Sequence, residues 1–121
     1  MGGVVFDSAI LVDALVGLSS ARTEIVRSPD RWITRIGWAE VLAGSRGDAG
    51  RIEDYLGHFK IIELNEEIAR RAAGLVEQRP VVALADAIGL TAAQVTGRIF
   101  ITRNTNSFPA SMPGIRIPYS L

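Results

Sequence analysis

The sequence predicts an α/β protein: a mostly parallel central sheet of about five short strands, with helices on both faces. Three observations carry this. Short apolar runs rich in β-branched residues alternate with stretches whose apolar residues recur at helical spacing. The strand-like runs look buried, as expected where helices cover both sides of a parallel sheet. The 121 residues, 48% hydrophobic and 21% charged, suit one domain, residues 1–121, with a sizeable core.

The elements follow in order. VVF, residues 4–6, reads as a buried strand. Ile10, Leu11, Ala14, Leu15 and Leu18 then fall on one helical face over residues 8–18. Residues 20–27 suit a second short helix, and SPD, 28–30, is turn chemistry. RWITRI, 31–36, alternates and reads as a strand; WAEVLAG, 38–44, is helical. DAGRIEDYLGHF, 48–59, is amphipathic, with Asp48 placed to cap it. KIIEL, 60–64, is a strand, and 65–78 a helix opened by Asn65 as N-cap with Glu66 and Glu67 in its first turn. Pro80 suits the first turn of a helix running to about Gly97. RIFIT, 98–102, and GIRIPY, 114–119, are the last strands.

Composition excludes several chemistries. With no cysteine, disulfides and thiolate sites are ruled out, and a single histidine, His58, cannot form a histidine metal cluster. Thirteen basic residues balance thirteen acidic ones, so any nucleic-acid binding rests on a local patch. No membrane span, signal peptide or myristoylation signal is recognised, and the expected location is the cytoplasm.

Most acids have plain explanations: Glu53, Asp54, Glu66, Glu67 and Glu77 belong to polar helix faces, Asp30 to a turn, and Asp13 to the exposed side of the first helix. Three do not. Asp7 ends the first apolar strand, at the carboxyl edge where α/β sheets bind ligands. Glu40 sits in GWAEVLAG between apolar neighbours, and Asp86 in VVALADAIGL, where no face looks wet. A buried carboxylate is costly unless paired, so each needs an arginine, a backbone cap or a cation. If the three converge, a divalent cation removes their repulsion, and all-oxygen ligation points to Mg²⁺ or Mn²⁺.

These stretches carry a resemblance. VVFDSAILVDAL, IGWAEVLAG and LADAIGLTAAQVTGRIFITRNTNSF, in that order, resemble the acid-bearing segments of PIN domains, more narrowly of VapC-like toxins from bacterial toxin–antitoxin pairs. The resemblance covers nearly the whole chain. It implies a three-layer α/β/α fold, with Asp7, Glu40 and Asp86 clustered to bind Mg²⁺ or Mn²⁺ and hydrolyse RNA through a metal-activated water. It also implies a VapB-like antitoxin and a homodimer, with Leu11, Leu15 and Leu18 or Ile25 and Val26 as contacts; ordinary core packing is the competing reading.

The match departs from the family in two places. Where the family often has Asp-Thr-Asn, this chain has Asp7-Ser8-Ala9, so Ser8 keeps a supporting hydroxyl and Ala9 loses a polar group. The fourth acid is missing: Asn104 stands at its position, able to offer an amide oxygen, beside Asn106 and Ser107. Arg103 is placed to contact RNA phosphate or pair with an acid; Arg46, Arg51 and Arg98 are further phosphate candidates. Trp32, Trp38 and His58 read as packing or capping residues. Two other readings stay open. One is a PIN-like module that binds RNA or protein without cutting. The other is a phosphoacceptor receiver domain, which wants adjacent acids after the first strand and a late lysine, where this chain has one acid and only Lys60.

Overall fold

The computed structural model describes residues 2–44 and 48–121. Among these residues the elements run β1 (Val4–Phe6), α1 (Ser8–Leu15), α2 (Ser19–Val26), β2 (Arg31–Thr34), α3 (Arg35–Gly44), α4 (Ala49–Leu56), β3 (Lys60–Ile62), α5 (Glu66–Gln78), α6 (Leu84–Val95), β4 (Ile99–Ile101) and β5 (Ile115–Arg116). The strands form one sheet in the order β3-β2-β1-β4-β5. Every pairing is parallel. The α/β/α expectation therefore holds.

Strand alternation divides the core in two. Val5 and Phe100 point to the face covered by α5 and α6, with Ile68, Ala72, Ile88 and Leu90. Phe6 and Ile101, one residue on, point to the opposite face with Ile10, Leu11, Ile25, Val41 and Leu56 from α1 to α4. The sheet grows outward from β1 through β2 to β3, then returns to β1's other side with β4. The order reverses between β1 and β4, and a crevice at the carboxyl ends of those two strands is the usual ligand position in such sheets.

Several boundaries differ from the sequence expectation, each for a local reason. The first helix stops at Leu15, not Leu18, because Gly17 adopts φ +97° and turns the chain. The strand expected to reach Ile36 ends at Thr34, whose Oγ1 accepts the Gly37 amide at 2.9 Å and starts α3. Pro80 lies in a turn; the last helix begins only at Leu84 and ends at Val95. That turn buries Val82, leaves Val81 and Leu84 exposed, and puts Asp86 in the helix's first turn. GIRIPY yields just two strand residues, Ile115 and Arg116. The expected caps are present: Asp48 accepts from the Arg51 amide and Asn65 from the Ile68 amide.

One helix contact is tight enough to test. A Cβ at Gly89 in α6 would stand 2.6 Å from Phe100 Cε1 and Cζ in β4. Phe100 is itself fully buried, edge-to-face with Phe108. Gly89→Ala gains up to about 1 kcal/mol of helix propensity. It also overpacks the core by about 1–3 kcal/mol, so a net loss in urea denaturation is expected.

Candidate functional site

The carboxyl edge of β1 and β4 gathers the three acids singled out in the sequence. Asp7 directly follows β1 and occupies the N-cap position of α1, with extended φ −65° and ψ 146°. Its side chain does not cap the helix. It turns toward β4, where the buried Thr102 hydroxyl donates to Oδ2 at 2.8 Å. The pairing of Phe6 with Ile101 sets Asp7 and Thr102, the residues just past the two parallel strands, side by side.

Ser8 links Asp7 to α3. Its Oγ lies 3.0 Å from Glu40 Oε1 and 3.5 Å from Asp7 Oδ1, so its one proton serves either acid. Asp86 approaches from α6. The Asn104 Nδ2 group donates to its Oδ2 at 2.9 Å, and the Ser107 hydroxyl lies 3.4 Å from the same oxygen. Asp86 also sits where the α6 backbone amides favour negative charge.

The sequence treated all three acids as trapped among apolar neighbours. The structure buries one. Asp7 is 9% exposed, Asp86 half-buried, and Glu40 on an exposed helix face. The apolar neighbours of Glu40 and Asp86 belong to other faces of their helices, which a linear reading merges.

Electrostatics joins the three. Burial pushes Asp7 up from its ordinary 3.8 to about 6; the charge of Asp86 adds to the rise, the Thr102 hydrogen bond opposes it, and Glu40 raises it further. Among the described residues, no ion pair falls on Asp7, Glu40 or Asp86. Among them, too, no three acids or histidines close on a common point at metal-ligand spacing. Each carboxylate is held instead by a hydroxyl or an amide. The three acids are hard oxygen donors with no cationic partner, a donor chemistry that suits Mg²⁺ or Mn²⁺, although the carboxylates are not drawn to metal-ligand spacing.

Other expectations are resolved differently. Arg103 pairs with an acid, but with Asp13, at 2.8 Å and 3.4 Å. Asp13 is not on an exposed face: it is 8% exposed and also accepts from Tyr119 at 2.7 Å. Burial and then the Asp13 carboxylate push the Tyr119 hydroxyl far above the usual phenol range, so it stays a donor. This triad ties the carboxyl-terminal segment to α1 beside the cluster. Arg98 stacks on Trp32, 3.9 Å from the ring centroid, and next to Gly3. Gly3 precedes β1, so Arg98 stands at the sheet edge opposite the acids. Arg51 and His58 belong to a groove between α1, α2 and α4, also away from the acids. Arg46 lies outside the described residues. Asn104 does not turn its amide oxygen to the acids; that oxygen accepts the Ser107 amide at 3.3 Å.

Thr102 is the residue sequence reasoning passed over. Its one signal was a small hydroxyl side chain ending a buried strand, and that becomes informative only once β4 is known to lie beside β1.

Among the described residues, no helix is long and apolar enough to cross a membrane. The PIN domain family model matches residues 4–110. No curated protein sequence matches the chain. Among solved structures, a chain of a toxin–antitoxin complex from Klebsiella pneumoniae is 34% identical, with TM-score 0.89, 98% of this chain covered and 99% of that one. FitAcB from Neisseria gonorrhoeae (18% identity, TM-score 0.74, 98% and 99% covered) shares the fold. So does DNA-bound VapBC from Salmonella typhimurium (17% identity, TM-score 0.76, 97% of each chain covered). The family model spans most of the chain and its three acid-bearing segments, and the chain belongs to the PIN domain family.

Proposed function

We propose that the chain is a metal-dependent endoribonuclease, the VapC-like toxin of a toxin–antitoxin pair. The observation that carries this is the group of three acids without a cationic partner just past the carboxyl ends of β1 and β4, where burial and the neighbouring acids push the Asp7 carboxyl up. Family membership and the 34% identity to a chain of a toxin–antitoxin complex support the reading.

Asp7, Glu40 and Asp86 would hold a Mg²⁺ or Mn²⁺ ion. When bound, such an ion lowers the pKa of a water and neutralises charge at the scissile phosphate. The protein's part is positional. Thr102 fixes one oxygen of Asp7. Ser8 spans Asp7 and Glu40 and spaces α1 from α3. Arg103, committed to Asp13, stiffens the loop after β4. No side chain of the cluster acts as a covalent nucleophile in this reading.

A VapB-like antitoxin has a candidate seat in the groove of about 430 Å³ between α1, α2 and α4. Of the apolar contacts expected from sequence, Leu11 is a core residue and Leu18 packs partly buried against the same core, whereas Leu15, the buried Ile25 and Val26 line this groove, Val26 at 73% exposure. Arg22, Arg31 and Arg51 surround it and suit a segment that mixes apolar and acidic residues.

The test is turnover. Purified protein with a tRNA and rRNA pool in Mg²⁺ should release discrete fragments. RNA retention without fragments, in either Mg²⁺ or Mn²⁺, would favour a binding module over a nuclease.

A further inference from the structure

The structure shows which end of the Asn104 amide faces the acids. Its Oδ1 accepts the backbone N–H of Ser107 at 3.3 Å. A backbone N–H can only donate, so it fixes the oxygen on that side and turns Nδ2 to the other. Nδ2 donates to Asp86 Oδ2 and to Ser107 Oγ, each at 2.9 Å.

The surrounding turn is anchored on every side. The Asn104 amide donates to Thr102 Oγ1 at 3.1 Å, and the same hydroxyl reaches Asp7. The Asn104 carbonyl accepts from the Phe108 amide at 3.2 Å, and Phe108 is fully buried against Phe100. Arg79 donates to the Ser107 carbonyl at 3.2 Å. One short turn thus reaches two of the three acids, Asp7 through Thr102 and Asp86 through Asn104 and Ser107.

We infer that Asn104 is a positioning residue: its amide nitrogen holds the Asp86 carboxylate in the cluster, and its amide oxygen is no cation ligand. The inference deepens the nuclease reading and rests on it for the role of Asp86. An acid at 104 would face Asp86 as a like charge and would depend on a cation to settle it. The asparagine gives Asp86 a neutral donor that needs none.

The experiment compares the whole chain, wild type, with Asn104→Asp and Asn104→Ala, by melting temperature in EDTA and by Mn²⁺ titration at one pH. Asn104→Asp keeps the side-chain shape and exchanges the donor for a charge. In EDTA it should melt below both the wild type and Asn104→Ala. With Mn²⁺ it should gain more in melting temperature than the wild type does. Asn104→Ala should bind Mn²⁺ about 10-fold more weakly than the wild type. A melting temperature of Asn104→Asp in EDTA at or above that of Asn104→Ala overturns the inference, because a charge at 104 would then not face Asp86. A wild type that binds no Mn²⁺ removes the nuclease reading alone; the order of the three melting temperatures in EDTA still decides the placement of Asn104.

Discussion

Asp7→Asn is expected to stop RNA cleavage while making the cation-free protein more stable at neutral pH. The two effects share a cause. Burial, with help from Asp86 and Glu40, raises Asp7 from 3.8 to about 6. The folded state therefore binds this proton more tightly than the unfolded chain. Stability contributed by the protonated form is complete below about pH 4, is lost as pH rises toward about 6, and is absent above that. The full penalty at neutral pH is about 3 kcal/mol. Asparagine removes the charge and keeps an oxygen for Thr102. In EDTA at pH 7.5, Asp7→Asn should unfold at higher urea than the wild type, and the difference should vanish near pH 3.5. Cleavage should fall on the order of 10³-fold, the loss expected when a cation contributing several kcal/mol is released. Equal stability at both pH values would mean that neither burial nor the neighbouring acids raise Asp7.

The second large effect is expected at Thr102. Thr102→Val preserves shape at a fully buried position but removes the donor to Asp7 and the acceptor for the Asn104 amide. Leaving these groups unpaired costs about 1–3 kcal/mol of stability. It also frees the Asp7 carboxylate to move, and loss of such a supporting contact weakens cation binding about 10–100-fold. The Thr102 hydrogen bond holds the Asp7 pKa down, so its loss raises that pKa further. A higher pKa requires a higher pH to ionise the acid. The acid limb of kcat/KM should shift to higher pH in Thr102→Val, a change that loss of stability alone would not produce. An unmoved limb would detach Thr102 from the chemistry.

Local signals were legible in the sequence, and non-local ones were not. Asn65 and Asp48 cap helices as their positions suggested, because a cap depends on residues only two or three away. Asp7 stood out because a carboxylate following VVF is anomalous on its own. At positions 40 and 86 the linear sequence misleads. Their apolar neighbours point elsewhere around the helix, and Glu40 is exposed while Asp86 is half-buried. What makes them stand out is their approach to Asp7, and that follows from helix placement. Asp13 differs from expectation for the opposite reason. Helical spacing sets it apart from the apolar stripe, yet Tyr119 and Arg103, distant in sequence, come back to cover it. Thr102 became meaningful only through the β1/β4 register. The start of α6 was missed because Pro80 fits a first helical turn equally well as a tight turn, and burial of Val82 chose the latter.

The most direct test of the account is a Mn²⁺ titration of the purified wild type and of Asp7→Asn, Glu40→Gln and Asp86→Asn under identical conditions. The wild type should bind Mn²⁺, and each variant, still folded, should bind at least about 10-fold more weakly if the three carboxylates serve one site. Binding at wild-type strength in any two of the variants would contradict a shared site.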